Sequence, residues 1–179
     1  MAHDVGSVPR NAYRMAFTDN HDMNSWNGTP QKNFGDGLET AMAFCSVVNG
    51  MPLVYSGQEA GLDRSLNFFD KDLIDFSNLK YEKFYRTLYD LKHRNQALWN
   101  GKHGGEMIRI TNDKMDKVVS FYREKGKDAV FPVFNFSNEE ITVKLDTKYF
   151  QGTYVDVFSN EKIDVKDDFT ITLKPWGYK

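Results

Sequence analysis

A chain of 179 residues is long enough to bury a sizeable core and to form one domain or two small ones. Its 23 Lys and Arg against 25 Asp and Glu leave a formal net charge of −2, which supplies no basic field for nucleic acid or an anionic membrane surface. A single cysteine, Cys45, within the apolar run Ala41 to Val48, excludes an internal disulfide and has no companion for a zinc site, so it reads as a small buried hydrophobe.

In chain order, the N-terminal Met1 to Arg10 lacks the apolar middle of a signal peptide and reads as a cut edge. No apolar run approaches the roughly 18 residues of a membrane span. Tyr13 to Phe17 reads as a short strand entering a polar loop, Thr18 to Phe34, rich in Asn, Asp and Gly. Such a loop is long for pure connection and suggests function. Gly37 to Asn49 places Leu38, Ala41, Met42 and Cys45 on one helix face, and Gly50 ends it. Met51 to Tyr55 reads as a buried parallel strand, followed by Ser56 to Glu59 at its C-terminal end. A further helix is expected from about Tyr81 to Trp99, on the register of Tyr81, Phe84, Leu88 and Leu91.

The pattern changes near Gly101 to Gly105, the expected domain boundary. Beyond it, Val118 to Tyr122, Ala129 to Asn135, Ile141 to Leu145, Thr153 to Phe158 and Phe169 to Leu173 alternate as strands of a small antiparallel sandwich. The fold class is therefore α+β, with no internal repeat and no low-complexity tract.

Candidate chemistry concentrates in Phe17 to Trp26, where Asp19 and Asp22 flank Asn20 and His21 just past a predicted strand. That is where α/β folds place binding groups. His21 and two aspartates are too few clustered ligands for a metal site, and His93 lies far along the chain on a predicted helix, so no metal is assigned. On spacing alone, the same cluster also fits Asp and Asn side chains capping a polar turn.

The segment Phe17-Thr-Asp-Asn-His-Asp22 resembles the Phe-x-x-Asn-His-Asp motif that follows the seventh strand of the (β/α)8 barrel in the α-amylase family. Further motifs follow in that family's order. Gly50-Met-Pro-Leu-Val-Tyr-Ser-Gly-Gln-Glu59 is similar to the eighth-strand segment, and Leu66-Asn-Phe-Phe-Asp-Lys-Asp-Leu-Ile-Asp75 to the loop after it. Phe84 to Gly101 is similar to the last barrel helix, while Asn135 to Asn138 and Lys174 to Tyr178 resemble the terminal β domain. The resemblance implies the last two strand and helix units of a barrel over residues 1–103 and an all-β C-terminal domain over 104–179.

By the same resemblance, Asp22 is the third catalytic acid, which holds sugar hydroxyls and stabilises an oxocarbenium-like transition state, and His21 hydrogen-bonds the same sugar ring. Trp26 is a candidate to stack on sugar or to cover the barrel rim. Glu59, with Gln58 and Tyr55, is expected by the resemblance to support the site or the barrel rim and not to be the general acid. The nucleophile and the acid/base, which a retaining enzyme holds about 5 Å apart, belong to motifs that this sequence does not contain; Gly61-Leu-Asp-Arg64 has the wrong order and place.

The expected function is therefore part of a retaining hydrolase acting on α-glucans or maltooligosaccharides, with the segment itself inactive. No cofactor is expected within the segment, since the family's usual calcium ligands lie on upstream segments. Two strands cannot close a barrel, so their apolar surface predicts self-association. The alternatives are a non-catalytic glucan-binding module using Tyr122, Tyr154, Phe158, Trp176 and Tyr178, or part of a branching, debranching or transferring member of the same family. The first has its own alternative, that these rings fill the sandwich.

Overall fold

The computed structural model describes residues 12–179, so the N-terminal segment read above for a leader lies outside the described residues. The architecture is mostly β, in antiparallel sheets, with a small helical layer and one parallel strand pair packed against it.

The first strands are β1 (Met15–Ala16) and β2 (Met51–Pro52), parallel, with Met15 opposite Met51 and Ala16 opposite Pro52. Both are shorter than expected. Beyond Pro52 the Tyr55 amide donates to the Gln58 side chain at 2.9 Å and the Gln58 amide to the Tyr55 carbonyl at 3.0 Å, so the backbone closes into a turn instead of extending the ladder. Between the strands lie α1 (Pro30–Phe34) and α2 (Leu38–Val47). Thr29 caps α1, its hydroxyl accepting from the Lys32 amide, and Pro30 sits at the first helical position, where no N–H is needed. Helix α2 buries Leu38, Ala41, Met42, Ala43, Phe44 and Val47, nearly its whole circumference, as befits a helix sandwiched between layers. At Gly50 the chain turns into β2 with φ +137, and a Cβ there would stand 2.5 Å from the Arg14 carbonyl oxygen, so only glycine serves.

Helix α3 (Glu82–Arg94) buries Tyr85, Leu88 and Leu91. It stops short of the expected Trp99 because Asn95 leaves helical geometry and its side chain accepts from the Ala97 amide at 3.0 Å, opening a 3-10 turn, Gln96–Leu98. Asp128 fixes that turn by accepting from the Gln96 amide at 2.8 Å.

The second half contains β3 (Ile108–Arg109), β4 (Val118–Lys125), β5 (Asp128–Val130), β6 (Val133–Asn135), β7 (Ile141–Lys144), β8 (Gly152–Val155), β9 (Lys162–Val165) and β10 (Thr170–Leu173). The central β4 pairs antiparallel with β3, β5 and β6, while β7 pairs with β10 and β8 with β9. The apolar run 129–135 is two strands because Pro132 has no N–H to give a ladder. β3 is too short, and β9 too polar (Lys-Ile-Asp-Val), to stand out in the sequence.

One core joins the halves: Phe44 of α2 meets Phe121 of β4, Phe134 of β6 and Phe136 edge-on, with ring centroids 6.3, 5.4 and 5.5 Å away. A second core of Ile110, Val118, Val133, Ile141, Val143, Leu145 and Leu173 lies within the β half. The aromatic residues considered above as a surface platform are engaged with neighbouring side chains, although Phe158 stays 41% exposed. Phe158 stacks on Phe84 at 5.5 Å, Tyr178 meets Phe134, Tyr122 meets Phe150 at 4.7 Å, Tyr154 meets Phe131, and Trp176 covers Gly37.

Arg123 on β4 is fully buried. Its guanidinium donates to the carbonyls of Val47 (2.9 Å) and Val48 (3.2 Å) at the end of α2, to Gly105 (3.1 Å) and Trp99 (2.9 Å), and to the Asn49 side chain (3.4 Å). Planar donors in a fixed fork suit this array, and the negative end of the α2 dipole favours the charge. Burial still draws the Arg123 pKa down to about 10.

Lys92 of α3 donates to the carbonyls of Gly50 (3.3 Å) and Leu98 (2.7 Å), and burial, with Arg123 nearby, lowers its pKa to about 8.

Arg123→Met should destabilise the fold by about 3–5 kcal/mol in urea unfolding, since several buried acceptors lose their donor at once; a loss below about 1 kcal/mol would contradict this role. For Lys92 the unfolded chain, with pKa 10.5, binds its proton more tightly than the folded one, so stability should rise between pH 8 and 10.5. Lys92→Met should remove that rise, as read from unfolding midpoints across this range.

Candidate active-site loop

The loop after β1 begins at Phe17 and turns through a helical segment that ends as a π-helical turn, Met23–Asn27. Such wide turns recur at functional sites. Its internal hydrogen bonds follow from the Asn and Asp content. The Asn20 side chain accepts from the Met23 amide at 2.7 Å, and Asp19 accepts from the Asn20 amide at 3.0 Å and the Asn24 side chain at 2.9 Å. Asp19 is 1 % exposed, and burial pushes its carboxyl pKa up against the lowering effect of the Asn24 and Asn20 bonds. The two aspartates thus divide their roles. Asp19 is interior scaffolding, whereas Asp22 and His21 stand in solvent, their side chains 62% and 63% exposed with His21 Nε2 3.5 Å from Asp22 Oδ1.

The loop is tied to its surroundings through buried polar groups. Asn24 is 2 % exposed; besides donating to Asp19, it accepts from the Leu66 amide at 2.7 Å, and the Ser25 hydroxyl donates to the Leu66 carbonyl at 2.9 Å. From the other side, the buried Gln58 donates to the Thr18 hydroxyl at 2.7 Å. Glu59 accepts from the Gly57 amide at 2.8 Å, a bond within its own turn. The segments after β1 and after β2 therefore form one hydrogen-bonded rim at the C-terminal ends of two parallel strands, the usual location of α/β binding sites.

The sequence reading did not assign Phe68 and Phe69, which the rim brings beside His21. Ring centroids are 5.8 Å apart for His21 and Phe68, 5.5 Å for Trp26 and Phe68, and 4.9 Å for Phe68 and Phe69. Two adjacent phenylalanines inside the polar stretch Asn67 to Asp72 were the available signal, since a loop with no strand or helix period gives such rings no core to enter.

Cys45 is half-buried, and burial raises its thiol pKa to about 11, which makes it inert as a nucleophile. Among the described residues no group of three or more His, Cys, Asp or Glu is placed to hold a metal ion, and no helix is long and apolar enough to cross a membrane. A cavity of about 520 Å³ lies elsewhere, between α2, α3 and strands β5, β6 and β8, lined by residues such as Val47, Leu91, Phe131 and Tyr154. Asp156, at its edge, is paired with Lys179 at 3.6 Å, so the cavity has no free acid to match Asp22.

Asn24→Ala should loosen the loop without unfolding the protein. It removes partners from buried Asp19 and the Leu66 amide, worth about 1–3 kcal/mol, and should show as faster hydrogen exchange at Leu66; unchanged exchange there would contradict the tie.

The chain is similar to several known proteins. Residues 108–179 match the family of the maltogenic amylase C-terminal domain. Alpha-amylase 2 of Dictyoglomus thermophilum is 29% identical over 161 residues, covering 82% of this chain but 26% of the relative. The crystal structure of the maltogenic α-amylase AmyB from Thermotoga neapolitana superposes with a TM-score of 0.79 at 26% identity, over 98% of this chain and 43% of that one. That of AmyP in complex with maltose shares the fold, with a TM-score of 0.71 at 15% identity over 99% of this chain and 42% of that one. The chain thus spans about a quarter of the length of the curated relative and under half of the solved structures. It is similar to the C-terminal portion of these α-amylases, and its residues 108–179 match the maltogenic amylase C-terminal domain.

Proposed function

We propose that this chain is the part of a retaining α-glucan-acting hydrolase that contributes the transition-state-stabilising acid, Asp22, and the sugar-binding His21. In this reading β1 and β2 are the seventh and eighth strands of a (β/α)8 barrel, residues 1–103 belong to the barrel, and 104–179 form the C-terminal β domain. The observation that carries it is the contrast within one loop: Asp19 is buried and hydrogen-bonded, while Asp22, three residues on, is presented to solvent beside His21 on a rim held by buried Asn24 and Gln58. The parallel pairing of β1 with β2 and the exposure of Met15, Phe17 and Met51 support a barrel sheet whose remaining strands come from elsewhere. One structurally similar protein, AmyP, has been solved with maltose and, as a variant, with maltotriose, which supports a maltooligosaccharide as the ligand.

The chemistry follows from the charges. As a glycosidic bond breaks, positive charge grows at the anomeric carbon and ring oxygen. A fixed carboxylate at Asp22 opposes that charge and accepts hydrogen bonds from sugar hydroxyls, bonds that tighten as the ring flattens. His21 donates a further hydrogen bond to the same ring. The displacement itself needs a nucleophilic carboxylate and a proton donor about 5 Å apart, and neither is supplied by this rim. Hydrolysis and transfer differ in what accepts the glycosyl group afterwards, a choice that Asp22 does not make.

The chain alone should not turn over a chromogenic maltooligosaccharide; turnover abolished by Asp22→Asn would overturn this reading. Asp22→Ala should weaken maltoheptaose binding by roughly tenfold or more, since charge-assisted hydrogen bonds are lost. Sedimentation should show concentration-dependent self-association through the exposed strand pair, and a monomer at all concentrations would contradict that part.

A further inference from the structure

The cavity of about 520 Å³ between the helical layer and the β half has the size of a small-molecule site. Val47 of α2, Leu88 and Leu91 of α3 and Val133 of β6 wall it on one side, and the hairpin of β8 and β9 lies on the other. Among the described residues that hairpin pairs with no other strand. It is held at its turn instead: the Lys179 ammonium reaches Asp156 at 3.6 Å and Glu161 at 3.2 Å, and Asp156 accepts from the Phe158 and Ser159 amides at 2.9 and 2.7 Å. The space beneath stays open. Close-packed interiors leave few voids larger than a water molecule, yet here apolar side chains face one incompletely covered. Ala129, Val130, Phe131, Val157 and Ile163 are half-buried and Val155 is 53% exposed. An apolar wall with no atoms opposite forgoes dispersion contacts, and such a cavity holds apolar ligands in preference to water.

One end of this cavity is cationic. The Asn95 side chain donates to the Ala129 carbonyl at 3.2 Å and Asp128 accepts from the Gln96 amide at 2.8 Å, which brings Arg94 and Lys127 to the same end of the lining. Both are exposed, and neither makes an ion pair among the described residues. The acids close by are engaged, Asp156 with Lys179 and Asp128 with the Gln96 amide. We infer that the cavity binds a single-chain amphiphile, its alkyl chain lying between α3 and the β8–β9 hairpin and its carboxylate head at Arg94 and Lys127. Charge complementarity sets the head group, and the apolar walls set the tail. The chain supplies most of the affinity, since an exposed ion pair is weak and screened by salt. An α-glucan fits these walls poorly, because its hydroxyls would lose their water against apolar side chains. The cavity shares no residue with the loop of Asp22, so its occupancy is independent of the sugar reading.

The test is titration calorimetry of the whole chain with decanoate and with uncharged decanol, both kept below the concentrations at which they aggregate. The variants are Arg94→Gln combined with Lys127→Gln, Val155→Trp, and Asp22→Asn, with circular dichroism as a fold control. Arg94, Lys127 and Val155 are exposed, so their variants should fold normally. Decanoate should bind saturably at one site. Removing the two cations should weaken decanoate roughly tenfold and leave decanol unchanged. Val155→Trp, which sets a large ring against the cavity, should weaken both ligands by about tenfold or more. Asp22→Asn should bind both as the wild type does, and maltoheptaose should displace neither. Nuclear Overhauser contacts from bound decanoate should fall on the methyl groups of Val47, Leu91 and Val133. Absence of saturable binding, decanoate affinity unchanged by Val155→Trp or by loss of the two cations, or contacts on other methyl groups would overturn the site. Displacement by maltoheptaose would make the cavity a sugar site instead, and loss of self-association in Val155→Trp without decanoate binding by the wild type would assign the recess to a second copy of the chain.

Discussion

The guanidinium of Arg123 is where the two halves of this chain are bound together. It reaches from β4 to the last carbonyls of α2, to the loop that follows α3 and to the segment leading into β3. A charge so deeply placed is tolerated only because every direction it faces supplies an oxygen, and because the α2 terminus presents its negative end. Around it the Phe44, Phe121 and Phe134 contacts make one apolar core of helix and sheet. Since α2 leads through Gly50 into β2, the same anchor sets where the β1–β2 pair sits, and with it the rim carrying Asp22.

The rim applies the same logic with smaller groups. Buried Asn24 and Gln58 are satisfied on both sides of their amides, and buried Asp19 accepts from Asn20 and Asn24. Short polar side chains thereby replace the apolar core that a loop cannot build. In the proposed function this rigidity would have a use, because a carboxylate stabilises a developing charge only where it is held before the charge appears. The C-terminal segment closes the arrangement, Tyr178 donating to Glu39 at 3.0 Å and Thr40 donating to the Trp176 carbonyl.

Much of this was legible in the sequence. The helix at Leu38–Val47, the parallel order of the strands flanking it and the alternation of Ile141–Lys144 follow from apolar spacing, which reports burial directly. Asp22 and His21 are singled out by motif resemblance alone. What spacing does not carry is where a side chain redirects the backbone: Gln58 ending β2, Asn95 ending α3 and Pro132 dividing β5 from β6. Nor does it tell Asp19 from Asp22, since only the fold shows which carboxylate is enclosed. Phe68 and Phe69 escaped for a related reason: their placement beside His21 depends on Leu66 being gripped by a turn some 40 residues earlier (sequence separations of 42 and 41).

In the proposed function Asp22 and His21 are the sugar-facing groups of this chain. The most direct test is a residue-resolved NMR titration with maltoheptaose, following backbone amides. Shifts should concentrate at His21, Asp22 and Met23 and fade across the β half. Shifts confined to the strands around the 520 Å³ cavity, with the loop of Asp22 unmoved, would contradict it.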